Sequence, residues 1–302
     1  EEHDPESAAI VGGGYVGIEV AEALADRGID VSLFEMLSHT LQPFGEPVAT
    51  EVEDHVREQG VDLFLETAVE GFTGEGRVAA VESEAGTVDA DLVVVGVGVQ
   101  PNVDIAAEAG IDIGETGAIA TDEYGRTSAE NVYAAGDCAE ATHVVTGEPD
   151  YVPLALTANR AGRAIGQTVA GTPTETGPTA GTAIVKAFEL GAARTGVLDE
   201  ERAREAGFDP IEVEITSASR AHYYPDWAEL SVRLVADRES ERVLGASIVG
   251  GEGVKRIDTV ATALHAGMTV EEVQNLDLAY APPFSPTWDP VATAAKVLNG
   301  RL

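Results

Sequence analysis

The chain has 302 residues, 44% of them hydrophobic, which is enough for two domains with apolar cores. Its 53 acidic and 18 basic residues give a net charge of −35, which argues against nucleic acids and anionic membranes as partners. No apolar run reaches the roughly 20 residues of a membrane span, and the acidic N-terminal residues do not predict a signal peptide. The single cysteine, Cys138, excludes an internal disulfide and fits a reducing cytoplasm.

The acidic residues are dispersed through the chain and do not form a tail. Self-repulsion of this size destabilises a compact state at low salt. At 1 M salt the Debye length falls to roughly 3 Å, which screens the repulsion. The charge therefore predicts a halophilic protein from a salt-rich cytoplasm; the alternative is an ordinary acidic protein.

A glycine-rich motif lies between the first predicted strand and helix. Residues 8–11 are an apolar run typical of a buried strand, and residues 18–27 have apolar positions at helical spacing. Between them, Gly12, Gly14 and Gly17 form G-x-G-x-x-G. This motif allows a tight turn, lets the backbone approach a pyrophosphate and packs helix against strand, while the helix N-terminus attracts phosphate. The pattern predicts a dinucleotide site; the alternative is a turn that binds nothing.

An acidic residue follows the second predicted strand. Gly28 is expected to end the helix, residues 31–34 form the strand, and Glu35 follows it, 18 residues after Gly17. A carboxylate at this position binds the adenosine ribose hydroxyls of a dinucleotide and repels a 2′-phosphate. Glu35 therefore predicts NADH rather than NADPH.

The elements that follow predict a parallel sheet of the βαβ type with an antiparallel insert. They are a helix from Pro47, strands at residues 61–65, 92–95 and 132–135, and the insert at 69–91. The strand at 92–95 is expected to be buried. The strand at 132–135 would have Asp137 at its carboxyl end, where open α/β sheets bind ligands.

A stretch rich in proline, glycine and threonine, residues 171–181, predicts a linker. Beyond it we expect strands at 182–188, 211–216, 229–236 and 243–249, and helices at 200–206, 254–266 and 269–274. Thr269 and Glu272 form a capping box. The glycines of residues 250–253 predict a strand-to-helix turn, because no lysine–hydroxyl pair completes a phosphate loop. This part of the chain predicts a separate α+β domain.

Five stretches resemble a known family. Residues 93–102 (VVVGVGVQPN) and 127–140 (TSAENVYAAGDCAE) resemble the flavin-dependent pyridine nucleotide–disulfide oxidoreductases. Residues 219–226 (SRAHYYPD), 248–258 (IVGGEGVKRID) and 278–290 (LAYAPPFSPTWDP) resemble the coenzyme A disulfide reductase / NADH oxidase subgroup. The resemblance covers nearly the whole chain and implies FAD and NAD as cofactors.

The resemblance implies an α/β architecture in which a Rossmann-like NAD-binding domain interrupts a FAD-binding domain. It divides the chain into an NAD-binding domain at residues 1–115, the C-terminal part of the FAD-binding domain at 116–175 and an α+β dimerisation domain at 176–302. The family forms homodimers through this last domain, and the partner subunit completes the active site.

The resemblance also implies roles near the flavin. Tyr15 would cover the flavin face and move aside for nicotinamide, Glu19 would lie at the nicotinamide–flavin contact, and Gly98 would line the nicotinamide. The flavin itself would contact Asp137 along its ribityl chain, Leu154, Ala155 and Thr157 beside its ring, and Phe284.

Tyrosines are the candidate catalytic acids. By the same resemblance, Tyr280 and one of Tyr223 and Tyr224 would reach the partner's active site. A phenol can donate a proton to a thiolate leaving group. The alternative is that these tyrosines are amphipathic side chains of a dimer interface.

Two features of the related reductases are absent from this sequence, and their absence restricts the activities that we expect. Residues 282–290 contain no histidine, whereas glutathione- and lipoamide-type reductases have an acid–base pair in this region. The family's redox cysteine and first FAD glycine motif belong to an N-terminal segment that precedes the NAD domain, so we expect the chain to be the carboxyl-terminal two-thirds of a flavoenzyme that binds FAD weakly. Cys138, expected at a helix start, has no resolving partner and is expected to be a small buried residue. No metal site is expected, and the histidines interpreted as structural or surface residues are His39, His55, His222 and His265.

These observations predict an NADH-dependent flavoprotein disulfide reductase of the coenzyme A disulfide reductase type. Electrons would pass from NADH to FAD, then to a redox cysteine outside this sequence and to a small disulfide. One alternative is an NADH oxidase, which reduces oxygen at the flavin. The other is a non-catalytic, NAD-binding dimeric protein.

Overall fold

The computed structural model describes residues 4–302; residues 1–3, with which the predicted NAD-binding domain begins, lie outside this range. The N-terminal elements are β1 (Ser7–Val11), α1 (Tyr15–Ala25), β2 (Asp30–Phe34), α2 (Glu46–Glu58), β3 (Asp62–Phe64), β4 (Val69–Thr73), β5 (Ala80–Ser83), β6 (Gly86–Asp89), β7 (Leu92–Val95), α3 (Asp104–Glu108), β8 (Ala141–Thr142), β9 (Pro149–Asp150) and α4 (Ala155–Val169). The C-terminal elements are β10 (Ala183–Ala187), β11 (Leu190–Gly196), α5 (Glu200–Glu205), β12 (Pro210–Ala218), β13 (Glu229–Asp237), β14 (Val243–Gly250), α6 (Ile257–Ala266), α7 (Val270–Gln274) and α8 (Pro290–Asn299). Within the described part of the chain, no helix combines the length and apolarity needed to cross a membrane.

The strands form two main sheets of different character. The first is parallel, in the order β3-β2-β1-β7, and the antiparallel ribbon β4-β5-β6 is inserted before its last strand. The second is antiparallel, in the order β10-β11-β14-β13-β12. The predicted α/β class, with a Rossmann-like sheet followed by an α+β unit, is therefore confirmed.

Local sequence explains how α1 starts and ends. Gly14 is the residue before the helix and has an extended backbone (φ −78°, ψ −167°), so the helix begins at Tyr15, three residues earlier than the apolar spacing predicted. Gly28 follows the helix with φ +77°, a left-handed conformation that glycine adopts without strain. The glycine motif therefore lies directly against the first turn of α1.

The two sheets have separate cores that meet at one face. In the C-terminal unit, β14 is buried along its whole length with α6 packed against it, while α8 packs against β12 and β13, and α7 packs against α8. In the N-terminal unit, apolar side chains of α1 and α2 pack in one cluster with β10 and β11. The Glu22 carboxylate reinforces this contact, because it pairs with Lys186 and accepts a hydrogen bond from the Phe188 N–H at 2.8 Å. Helix α1 is therefore fixed against both units.

Several sequence predictions about elements were wrong. Residues 132–135 do not form a strand, because Tyr133 makes only an isolated bridge with Arg126 and no neighbouring strand in the described residues pairs with this segment. Strand β7 is not buried at its end, since it is an edge strand and Val95 is 58% exposed. Cys138 lies in a turn and not at a helix start.

Two elements of the C-terminal unit were missed altogether. Strand β11 (LGAARTG) is rich in glycine and alanine and lacks the β-branched residues that indicate a strand. Helix α8 follows a proline-rich stretch, and its start is set by Pro290 and by the Asp289 side chain, which accepts a hydrogen bond from the Val291 N–H. Helix α8 packs in the C-terminal core, and β11 contributes buried residues to both cores.

Candidate functional site

The three motif glycines have distinct structural environments. Gly12 has φ +105°, and a Cβ atom there would lie 2.3 Å from the Gly96 carbonyl oxygen. A Cβ on Gly17 would lie 1.9 Å from the Gly12 oxygen, so helix and strand touch at this point. A Cβ on Gly14 would meet nothing within 4 Å. The turn therefore requires Gly12 and Gly17, whereas the space above Gly14 is open for a ligand.

The first turn of α1 is suited to an anion. It has no acidic residue and no side-chain cap, so its N–H groups face the open space above Gly14. The partial positive charge of the helix N-terminus adds to this preference. The pyrophosphate of a dinucleotide fits this surface.

Glu35 is held against the glycine loop. One carboxylate oxygen accepts a hydrogen bond from the Gly13 N–H at 2.7 Å, and the other accepts one from the Leu37 N–H at 2.9 Å. The residue is only 9% exposed. Each oxygen keeps a lone pair that can accept a hydrogen bond from a ribose hydroxyl. The carboxylate is therefore oriented by the loop before any nucleotide binds.

The remaining residues predicted to contact nicotinamide lie around α1. The Tyr15 ring is 5.5 Å from the Phe44 ring, and Tyr15 and Leu154 pack against the same hydrophobic cluster. Glu19, one helical turn after Tyr15, lines an open cleft with Lys186 and the glycines at the end of β14. Gly98 has φ +91° and open space around it.

A second cavity lies between the turn at residues 134–136 and helix α4. Its polar lining consists of Thr121, Glu140, Thr157, Arg160, Thr176 and Thr179. Gly136 forms part of one wall and contributes no side chain to it. The threonine hydroxyls of this lining can exchange hydrogen bonds with the hydroxyl groups of a flavin's sugar-alcohol chain.

The other residues expected at the flavin lie beside this cavity. Asp137 follows Gly136 and is exposed, and its carbonyl accepts a hydrogen bond from the Tyr151 hydroxyl at 3.1 Å. Leu154 precedes α4, and Ala155 is its first residue. The Cys138 thiol is partly buried and donates to the Ala135 carbonyl at 3.5 Å, an arrangement without a second cysteine to form a disulfide.

The tyrosines lie on two adjacent loops of the C-terminal unit. Tyr223 is 77% exposed and Tyr280 is 48% exposed. A hydrogen bond with Tyr280 raises the pKa of Tyr223, whereas hydrogen bonds with Thr287 and Tyr223 lower the pKa of Tyr280. Tyr224 instead lies under the Arg220 guanidinium, 6.0 Å from its ring centre. The structure therefore brings Tyr223, and not Tyr224, to Tyr280.

Phe284 is also on this surface and is largely exposed, so it is not a core residue of this chain. Sequence reasoning missed the polar residues beneath the loops, Arg256 and Asp289. Both occur in the stretches that resemble the family, which was the available signal. In residues 4–302 no cluster of histidine, cysteine, aspartate and glutamate could hold a metal ion.

Comparisons with known proteins agree with these features. The family model described as pyridine nucleotide-disulphide oxidoreductase matches residues 1–162, and the dimerisation-domain model of the same family matches residues 182–291. The chain is 40% identical over 299 residues to an NAD(P)H coenzyme A polysulfide/persulfide reductase of Pyrococcus horikoshii, covering 99% of this chain and 67% of that protein. It is 34% identical over 301 residues to an NADH oxidase of Methanocaldococcus jannaschii, covering 98% and 66%.

A solved structure is similar over the same region. The NAD-dependent persulfide reductase from A. fulgidus superposes with a TM-score of 0.94 at 43% identity. The match covers 99% of this chain and 56% of that one. The chain thus spans little more than half of the solved relative and about two thirds of the two curated relatives.

Proposed function

Because the chain belongs to the pyridine nucleotide–disulphide oxidoreductase family, we propose that it serves in an NADH-dependent reduction of coenzyme A disulfides or persulfides. The family is one of oxidoreductases that use FAD and NAD(P)H. The observation that carries the proposal is that Tyr223 and Tyr280 are exposed on adjacent loops of the dimerisation domain, where each affects the pKa of the other. A relative of this chain is named for a coenzyme A polysulfide or persulfide.

NADH binds at the glycine loop in this proposal. The α1 N-terminus and the open space above Gly14 receive the pyrophosphate, and the preoriented Glu35 carboxylate binds the adenosine ribose. That carboxylate would repel the 2′-phosphate of NADPH. The nicotinamide would extend from this loop towards the flavin and would be contacted by Tyr15, Glu19 and Gly98.

FAD, when bound, would supply the redox chemistry that links NADH to the disulfide. Asp137, Leu154, Ala155, Thr157 and Phe284 are the residues of this chain proposed to contact it. The cavity between residues 134–136 and α4 supports this assignment, because its threonine hydroxyls suit a polyhydroxylated chain.

The tyrosine pair supplies the proton in a dimer. Tyr280, whose pKa is lowered by its hydrogen bonds with Thr287 and Tyr223, is the better acid towards a thiolate leaving group. Tyr223, whose pKa is raised by its hydrogen bond with Tyr280, stays protonated and stabilises the Tyr280 oxygen.

The proposed domains are the NAD-binding domain at 1–115, the FAD-binding part at 116–175 and the dimerisation domain at 176–302.

Tyrosine-to-phenylalanine variants test the proposal. Release of coenzyme A thiol from its disulfide is followed in the full-length, FAD-loaded enzyme with NADH as reductant, and general acid catalysis typically contributes about 10²- to 10⁴-fold. Tyr280→Phe is expected to lose most of this factor, Tyr223→Phe less, and Tyr224→Phe little. Tyr124→Phe, which removes a hydroxyl from the turn at residues 123–124 and not from the C-terminal unit, is the control. Equal thiol release by all four variants would contradict the proposed acid.

An NADH oxidase is the second candidate, supported by the relative of that name. It would consume oxygen without releasing thiol, and neither tyrosine variant would slow it. A third candidate is a non-catalytic NAD-binding dimer, and stoichiometric FAD in the purified chain would argue against it.

We also propose that the net charge of −35 reflects a salt-rich cytoplasm.

A further inference from the structure

The two tyrosine loops have little regular structure of their own. The first, residues 219–228, joins β12 to β13, and the second, residues 278–289, precedes α8. One backbone hydrogen bond joins them directly, from the Ala221 N–H to the Pro282 carbonyl at 3.2 Å. A single such bond does not fix two exposed loops relative to each other.

The Arg256 side chain reaches both loops. Its Nη2 donates to the Ser219 carbonyl at 2.9 Å and to the Phe284 carbonyl at 2.7 Å. Its Nε donates to the Asp289 carboxylate at 2.8 Å, and Nη1 donates to the Gly253 carbonyl at 3.3 Å. The guanidinium thus contacts the start of the first loop and the middle and end of the second.

Arg256 and Asp289 form a largely buried ion pair. Their side chains are 14% and 12% exposed. Asp289 also caps α8, since its other oxygen accepts a hydrogen bond from the Val291 N–H at 2.8 Å. Arg256 in turn lies at the start of α6. The pair therefore connects both loops to two helices of the C-terminal core.

We propose that Arg256 is the positioning residue of the tyrosine pair. Its guanidinium holds the two loops together so that Tyr223 lies next to Tyr280. The planar fork of an arginine carries its donors on three separate nitrogens, so it reaches two carbonyls and a carboxylate that are spread around it, whereas the three donors of a lysine ammonium all lie on one nitrogen. The opposite pKa shifts of the two tyrosines fit this docking, since each arises partly from the other. The catalytic consequence rests on the proposed function.

Tryptophan fluorescence reports the docking directly. The chain has two tryptophans, Trp227 and Trp288, and one lies in each loop. Arg256→Lys and Arg256→Gln are expected to shift their emission to longer wavelength and to increase quenching by acrylamide. The far-UV circular dichroism of the folded core should remain as in the wild type. The matched control is Lys255→Gln, which removes a neighbouring exposed cation that pairs with Asp258.

A titration of tyrosine absorbance gives a second readout. In the wild type, comparison with Tyr280→Phe identifies the phenol that ionises below the usual range. Arg256→Lys is expected to return this transition to that range. Thiol release should fall about 10- to 100-fold, because small misplacements of reacting groups cost this much, while hydride transfer from NADH is unchanged.

The outcomes separate the two proposals. Wild-type fluorescence and tyrosine titration in both Arg256 variants would overturn the positioning role. Shifted fluorescence in these variants, together with normal thiol release by Tyr280→Phe, would support the positioning role and overturn the proposed acid. Should Arg256→Gln fail to fold, Arg256→Lys and Asp289→Asn decide the question, because each keeps one partner of the pair.

Discussion

Alanine substitutions at Gly14 and Gly17 should separate nucleotide binding from folding. A Cβ at residue 17 would lie 1.9 Å from the Gly12 oxygen, so Gly17→Ala forces the helix away from the strand. Overpacking of this kind costs roughly 1–3 kcal/mol of unfolding free energy. A Cβ at residue 14 meets nothing within 4 Å, and φ there is −78°, a conformation that alanine adopts freely.

Gly14→Ala should change stability by less than about 1 kcal/mol, because its restriction of the unfolded chain is opposed by the poorer helix N-cap that alanine makes in place of glycine. Its methyl group would occupy the space above the helix N-terminus where the pyrophosphate approaches. We expect NADH affinity to fall by at least about tenfold, which corresponds to about 1.4 kcal/mol.

The assays are urea unfolding and calorimetric titration with NADH, both in molar salt. Gly166→Ala is the control, because its Cβ also meets nothing within 4 Å but lies on α4, away from the loop. Wild-type NADH affinity in Gly14→Ala would refute the close approach of the pyrophosphate. A loss of stability in Gly14→Ala equal to that of Gly17→Ala would refute the assignment of separate roles to the two glycines.

Three further predictions concern charge. Glu35→Gln should reduce the preference for NADH over NADPH, measured as the ratio of their dissociation constants, because the carboxylate charge is lost while the acceptor for the Gly13 N–H remains; an unchanged ratio would contradict this. His143 is buried, and burial together with the nearby arginines lowers its pKa to about 4 from 6.5. The free energy of unfolding should therefore fall by up to about 3 kcal/mol as the pH drops from 6.5 through 4, because the unfolded chain binds this proton first. His143→Asn retains an acceptor for the Val145 N–H and should flatten this dependence in urea unfolding measured across the pH range. Raising KCl from about 0.1 M to about 1 M shortens the Debye length from about 10 Å to about 3 Å and should raise the melting temperature, whereas a flat or falling profile would argue against a halophilic protein.

The glycine loop and the elements around it were predictable from sequence because they follow one another directly along the chain. Residues 8–35 form strand, glycine turn, helix and strand in the predicted order, and only the helix start differed. The capping box of Thr269 and Glu272 is present for the same reason, since both residues lie within one helical turn. The strand at 132–135 was wrong because a strand needs a partner, and apolar residues alone do not supply one.

The amino-acid sequence by itself determined the glycine turn, the acid that follows the second strand, the predicted class of fold and the acidic surface, since each is set by neighbouring residues or by composition. Only the tertiary structure decided which tyrosine meets Tyr280, and that Arg256 holds their loops together. It also decided that Glu35 is oriented by Gly13, 22 residues away. Hydrogen bonds between distant segments depend on how the core packs, and local sequence patterns do not contain that information.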